Sequence, residues 1–160
     1  MHEPAPFPRL SENRLIRRLA MLVSELELDV RDFVIFGSGP MFAHGLRAGL
    51  HDLDVVARGP AWRRVREHGC PGTGNVNGAP MALFWGGLIE FSQGWISAGW
   101  DADDLIGRAQ RIQGWPFAPL ADVLAYKEIL LRPKDYPDIA TLHQAMPRPA
   151  RSAAAAAEAR

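Results

Sequence analysis

From Asp32 to Ala57 the chain reads DFVIFGSGPMFAHGLRAGLHDLDVVA, and this stretch decides the fold. The run DFVIFGS, Asp32 to Ser38, is short, β-rich and apolar, and glycine stops it, so it is predicted to be a buried strand. Pro40 to Arg47 is long enough for one or two helical turns. DLDVVA, Asp52 to Ala57, reads as a second strand. Alternate residues on a strand share a face, so Asp52 and Asp54 are expected to project together while Leu53 enters the core. Two carboxylates held that close repel unless a cation lies between them, and oxygen ligands of this kind suit Mg²⁺. The Gly37-Ser38-Gly39 turn supplies backbone N–H groups and a hydroxyl, the donors a phosphate tail requires.

Upstream, Ser11 is placed to cap a helix whose apolar residues Leu15, Ile16, Leu19, Leu22, Val23 and Leu26 recur at three- and four-residue spacing. Downstream, Ala61 to His68 reads as a short amphipathic helix and Gly69 to Gly78 as a glycine- and asparagine-rich loop. MALFW (Met81 to Trp85) and LIEFSQGW (Leu88 to Trp95), split by Gly86-Gly87, suggest a hairpin or two adjacent strands. Within the second run Ile89 and Phe91 face the core. Glu90 therefore faces the other way, either as a third metal-binding carboxylate or as the polar face of a half-exposed strand. Asp101 to Ala109 starts as a helix, Arg111 to Gln113 is a brief strand, and two helices close the chain at about Leu120 to Leu131 and Pro137 to Ala145. The expected fold is α/β (α+β), a small mixed sheet flanked by helices. Residues 1–10 form an extended arm, 11–146 a single domain and 147–160 an alanine-rich tail.

The chain has 160 residues, with eighteen basic side chains balancing eighteen acidic ones. That neutrality argues against a broad electrostatic grip on nucleic acid or an anionic membrane. No apolar run approaches the roughly 20 residues of a membrane span, and MHEPAPFPRL lacks the build of a signal peptide, so a cytoplasmic location is expected. A lone cysteine, Cys70, excludes a disulfide framework and multi-cysteine metal clusters. The five histidines lack zinc-binding spacing, and Ser38 lacks the elbow of a hydrolase nucleophile. A dinucleotide-binding module fails because Phe42 stands at the third glycine position and the acids precede Val55-Val56 instead of following them.

A strand ending in Gly-Ser, a short helix, Asp-x-Asp on the next strand and one acid on a later strand resemble the nucleotidyltransferase fold of the polymerase β-like superfamily, in its minimal bacterial form. The segment YKEILLRPKDYPDIATL, Tyr126 to Leu142, is also similar to stand-alone members of that group. The resemblance implies that Gly37 and Ser38 hold the β- and γ-phosphates of a nucleoside triphosphate. It makes Asp52, Asp54 and Glu90 the ligands of two Mg²⁺ ions, with one of Asp54 or Glu90 as general base. It brings Lys127 and Lys134, the only two lysines, to the nucleotide, with Arg132, Asp135 and Asp138 in the same segment. The implied reaction moves a nucleoside monophosphate from the triphosphate to an acceptor: a small molecule, a protein or a tRNA. A homodimer is possible, and the neutral charge disfavours, without excluding, a nucleic-acid acceptor.

Blander readings stand beside these. The glycines of Gly37-Ser38-Gly39 fit any strand-to-helix turn. Lys127 and Lys134 could form surface pairs with Glu128 and Asp135. Asp135 and Asp138 could cap the last helix. Arg63, Arg64 and Arg66 read as a solvated face, and Trp85, Trp95, Trp100 and Trp115 as core or rim. The alternative function is a degenerate nucleotidyltransferase fold that binds a nucleotide or a partner without turnover, for which His51 and Pro40 beside the two motifs leave room.

Overall fold

A computed structural model describes residues 7–74, 78–95 and 97–146. The first helix, α1 (Arg14–Glu25), forms where the apolar spacing predicts it and buries Leu15, Ile16, Leu19 and Leu22. Its cap is Asn13 rather than Ser11. The Asn13 Oδ1 accepts from the Leu15 and Ile16 amides at 2.9 and 3.1 Å, while Ser11 lies in a 3-10 turn over Leu10–Glu12. Leu10, the last residue of the expected arm, begins that turn, is fully buried and donates its amide to Gln113 Oε1, which anchors the chain there.

Strand β1 (Phe33–Phe36) leads through the Gly37-Ser38 turn into a five-residue helix, α2 (Gly39–Ala43). Strand β2 (Leu53–Ala57) and helix α3 (Gly59–His68) follow. The segment expected to be a loop contributes an edge strand, β3 (Cys70–Thr73), whose Pro71 and Gly72 disguise it, since proline is tolerated in a sheet chiefly at an edge. The rest of that loop includes residues 75–77, which lie outside the described set, as does the alanine-rich tail. Strands β4 (Pro80–Phe84) and β5 (Ile89–Ser92) make the predicted hairpin, antiparallel across Gly86-Gly87. A separate two-stranded ribbon pairs β6 (Gly94–Trp95) with β7 (Ser97–Asp101). Asp101 then caps α4 (Ala102–Gly107) by accepting from the Asp104 amide.

Strands β8 (Gln110–Ile112) and β9 (Trp115–Phe117) form a second hairpin. Its two-residue turn is Gln113-Gly114, with φ of 50° and 84°, the left-handed pair a tight hairpin needs. Helices α5 (Leu120–Leu130) and α6 (Tyr136–Ala145) close the fold within a residue of expectation.

The main sheet has seven strands in the order β3-β4-β5-β2-β1-β9-β8 and is mixed. Strand β1 runs antiparallel to β2, and β2 runs parallel to β5. Side-chain alternation sorts the core into two layers. Phe33, Ile35, Leu53, Val55, Ile89 and Phe91 pack with α1 and α3 on one face. Val34, Phe36 and Val56 pack with α4, α5 and α6 on the other. No helix among the described residues is long and apolar enough to cross a membrane.

Candidate active site

The antiparallel ladder sets Asp54 opposite Phe36, and the parallel ladder sets it beside Glu90. The neighbours Leu53 and Ile89 are fully buried on the α1/α3 face, so alternation sends Asp54 and Glu90 to the face of Phe36. The acids thus meet where β1 ends and β2 and β5 begin. The expected third acid, Asp52, sits differently. Strand β2 starts at Leu53, so Asp52 is an exposed residue just before it and no ladder fixes its direction. The structure brings Asp54 and Glu90 together and leaves Asp52 as a flanking charge. Among the described residues, no group of three or more His, Cys, Asp or Glu is gathered as a metal cage.

Asp54 is pushed up to about 8 by its burial first, then by the charges of Asp52 and Glu90 and a hydrogen bond with Glu90, while Lys134 pulls it down. Glu90 is also raised, chiefly by burial, with Asp52 adding to it. Two carboxyl groups can share a hydrogen bond only if one carries a proton. That proton does what a cation would do, neutralising like charges that the sheet forces side by side. The donor set is all oxygen and anionic, and it fits a hard divalent ion.

Facing the acids is the Gly37 turn. Gly37 has φ of 62°, and a Cβ there would collide with Asp54 Oδ2. Only glycine permits both the left-handed backbone and the close approach of the carboxylate. Next to it, the Ser38 hydroxyl accepts from Arg47 Nη1 at 2.8 Å, and the same nitrogen donates to Asp138 Oδ2 at 3.2 Å. Asp138 is held in turn by Lys127 Nζ at 3.0 Å, and Lys127 also reaches Asp135 at 3.4 Å. Arg132 completes the chain by gripping Asp135 with its backbone amide, Nε and Nη2. Burial raises the Asp135 carboxyl, yet the bonds from Arg132 and the charge of Lys127 outweigh it and hold the group below its ordinary value.

Of the residues suggested by the sequence, Asp54 meets Glu90 on one side and Gly37 on the other, and Ser38 follows Gly37 in the turn. Lys134 is exposed and close enough to Asp54 to act on its charge. Lys127 differs from the surface reading of it. It is 3% exposed and pairs with Asp135 and Asp138, not with Glu128 at the surface. Asp135, at the start of α6, gives no side-chain bond to that helix and instead accepts from the Arg132 amide.

Two site residues carried no usable signal. Arg47 is one of sixteen arginines, in a segment without periodicity, and only the fold shows that it touches Ser38. Tyr126 forms the wall behind the acids, with ring centroids 5.4 Å from Phe36 and 5.3 Å from Trp95. Burial and the nearby Asp54 push its hydroxyl well above the ordinary tyrosine value. Trp95 and Trp100 pack on Phe36 as core residues, whereas Trp85 is 41% exposed. Compared with family models, with curated proteins and with solved structures, the chain finds no match in any of the three.

Proposed function

We propose that this chain is a Mg²⁺-dependent nucleotidyltransferase that moves a nucleoside monophosphate from a nucleoside triphosphate to an acceptor. The observation that carries the reading is the placement of Asp54 and Glu90 on adjacent parallel strands, with Asp54 directly against Gly37 of the Gly37-Ser38 turn. A pair of carboxylates that must take up positive charge thus adjoins a turn with donors for phosphate. Asp54 and Glu90 are the residues that would hold Mg²⁺, with the exposed Asp52 turning in to join them. Bound there, the metal supplies charge neutralisation at the α-phosphate and lowers the pKa of the attacking group.

The chain's own groups account for the rest. The Gly37 turn and the Ser38 hydroxyl bind the phosphate tail, and Lys134 adds a positive charge above the acids. The acceptor oxygen forms a new bond to the α-phosphorus as the bond to pyrophosphate breaks. The acceptor's proton passes to a carboxylate of the Asp54–Glu90 pair, which is free to take it once the pair's own proton has left. Pyrophosphate departs along the Ser38 side.

The test is label transfer from each of the four α-labelled triphosphates, with Mg²⁺, into a bacterial extract separated into RNA, protein and small molecules. Label that appears in one fraction and vanishes with Asp54→Asn establishes the reaction and its acceptor class. No transfer, with retained triphosphate binding, replaces catalysis by the degenerate, ligand-binding reading.

A further inference from the structure

Arg47 is held by one nitrogen only. Its Nη1 makes both of its hydrogen bonds, to Ser38 Oγ and to Asp138 Oδ2, and among the described residues Nε and Nη2 have no protein partner. A guanidinium carries five N–H donors in a rigid fork, so anchoring Nη1 leaves a preoriented pair for an anion. The side chain is 28% exposed, against 4% for Lys127 and 16% for Asp138. The network is therefore graded from inside to outside. Lys127 is spent on Asp135 and Asp138, Asp138 fixes Arg47, and Arg47 alone reaches solvent beside Ser38. Three cations (Arg47, Lys127, Arg132) face two carboxylates (Asp135, Asp138), so the network carries one positive charge in excess, with Arg132 and Arg47 at its two exposed ends and Arg47 the one beside Ser38. A cleft of about 370 Å³ lined by Arg47, Ala48, Gly49, Leu50 and His51 runs from Arg47 to the residue before Asp52.

We propose that Arg47 is the phosphate-binding cation of this site, with Asp138 as its positioning residue and Lys127 as an internal counter-ion that never touches the ligand. The inference rests on the nucleotidyltransferase reading and deepens it. It assigns the triphosphate tail to Ser38 and Arg47 together, and it makes α6 a part of the phosphate site through Asp138.

The test is calorimetric titration of the full chain with magnesium tripolyphosphate, which carries the tail's charge without a base or sugar. Arg47→Met is expected to weaken binding tenfold or more. Arg47→Lys keeps the charge and the ion pair with Asp138, but an ammonium bonded to Ser38 and Asp138 has one N–H left for phosphate in place of the Nε/Nη2 fork, so about a fivefold loss is expected. Asp138→Asn is expected to weaken binding in the unsubstituted chain and to have no further effect beside Arg47→Met. A merely structural role would weaken both backgrounds alike. Unchanged affinity in Arg47→Met or Arg47→Lys, with a clear loss in Ser38→Ala, overturns the inference and leaves the nucleotide reading standing. Failure of the unsubstituted chain to bind tripolyphosphate or any of the four triphosphates overturns both.

Discussion

Two charged clusters flank Ser38, and they handle charge in opposite ways. On one side Asp54 and Glu90, with Asp52 beside them, are raised first by burial and then by the like charges crowded there. On the other, Arg47, Lys127 and Arg132 alternate with Asp135 and Asp138 in one connected network. Each buried member there has a partner, as the stability of the fold demands. The sheet places two acids side by side, while the next element pairs its own charges with care. Carboxyl groups raised together in this way point to a candidate site more specifically than an acid count does.

The contrast breaks first at Asp54. Asp54→Asn is expected to lower transfer by about a thousandfold or more while making the protein more stable, since ligand function and folding pull apart there. The sign follows from the raised carboxyl. Its folded value lies above its unfolded one, so its favourable contribution is complete below about pH 4 and is lost as pH rises through about 8. The Asp54→Asn chain should melt roughly 3–6 °C higher than the parent at pH 8 and about the same at pH 3.5. A lower melting point at pH 8 would show that the pair supports the fold.

The opposite outcome is expected in the paired cluster. Lys127→Met strands Asp135 and Asp138 without their buried cation and should cost about 3–5 kcal/mol in chemical denaturation. Gly37→Ala tests the seam between the clusters. A left-handed alanine whose Cβ meets Asp54 should cost roughly 1–3 kcal/mol, less when Asp54→Gly clears the space. The smallest effect lies far from both: Asn13→Ala removes the cap of α1 at about 1 kcal/mol and leaves ligand binding unchanged.

Much of this molecule is legible in its sequence because burial writes itself as pattern. Phe33–Phe36 and Leu53–Ala57 are apolar runs bounded by turn residues, and the Ile89–Glu90–Phe91 alternation correctly sends Glu90 to the face of Asp54. What stayed hidden depends on neighbours distant in sequence. Cys70–Thr73 becomes a strand because β4 offers it a free edge, against the preferences of Pro71 and Gly72. Trp115–Phe117 is three residues long and contains a proline, yet β1 and β8 hold it as β9. Ser11 and Asn13 are both good caps, and the 3-10 turn that buries Leu10 decides between them. At the site, alternation counted Asp52 into a strand that starts one residue later. Lys127 reads as a surface residue because lysine usually is one, and only the return of α6 supplies the acids that bury it.

The most direct measurement is the melting temperature at pH 8 of the chelator-washed chain, with and without Asp54→Asn, as Mg²⁺ is added to millimolar levels. If the Asp54–Glu90 pair is built to take a cation, the parent rises with Mg²⁺ as the repulsion is relieved, while Asp54→Asn starts higher and responds little. An equal Mg²⁺ response in both proteins, or none in the parent, would contradict the assignment of that pair as the metal site.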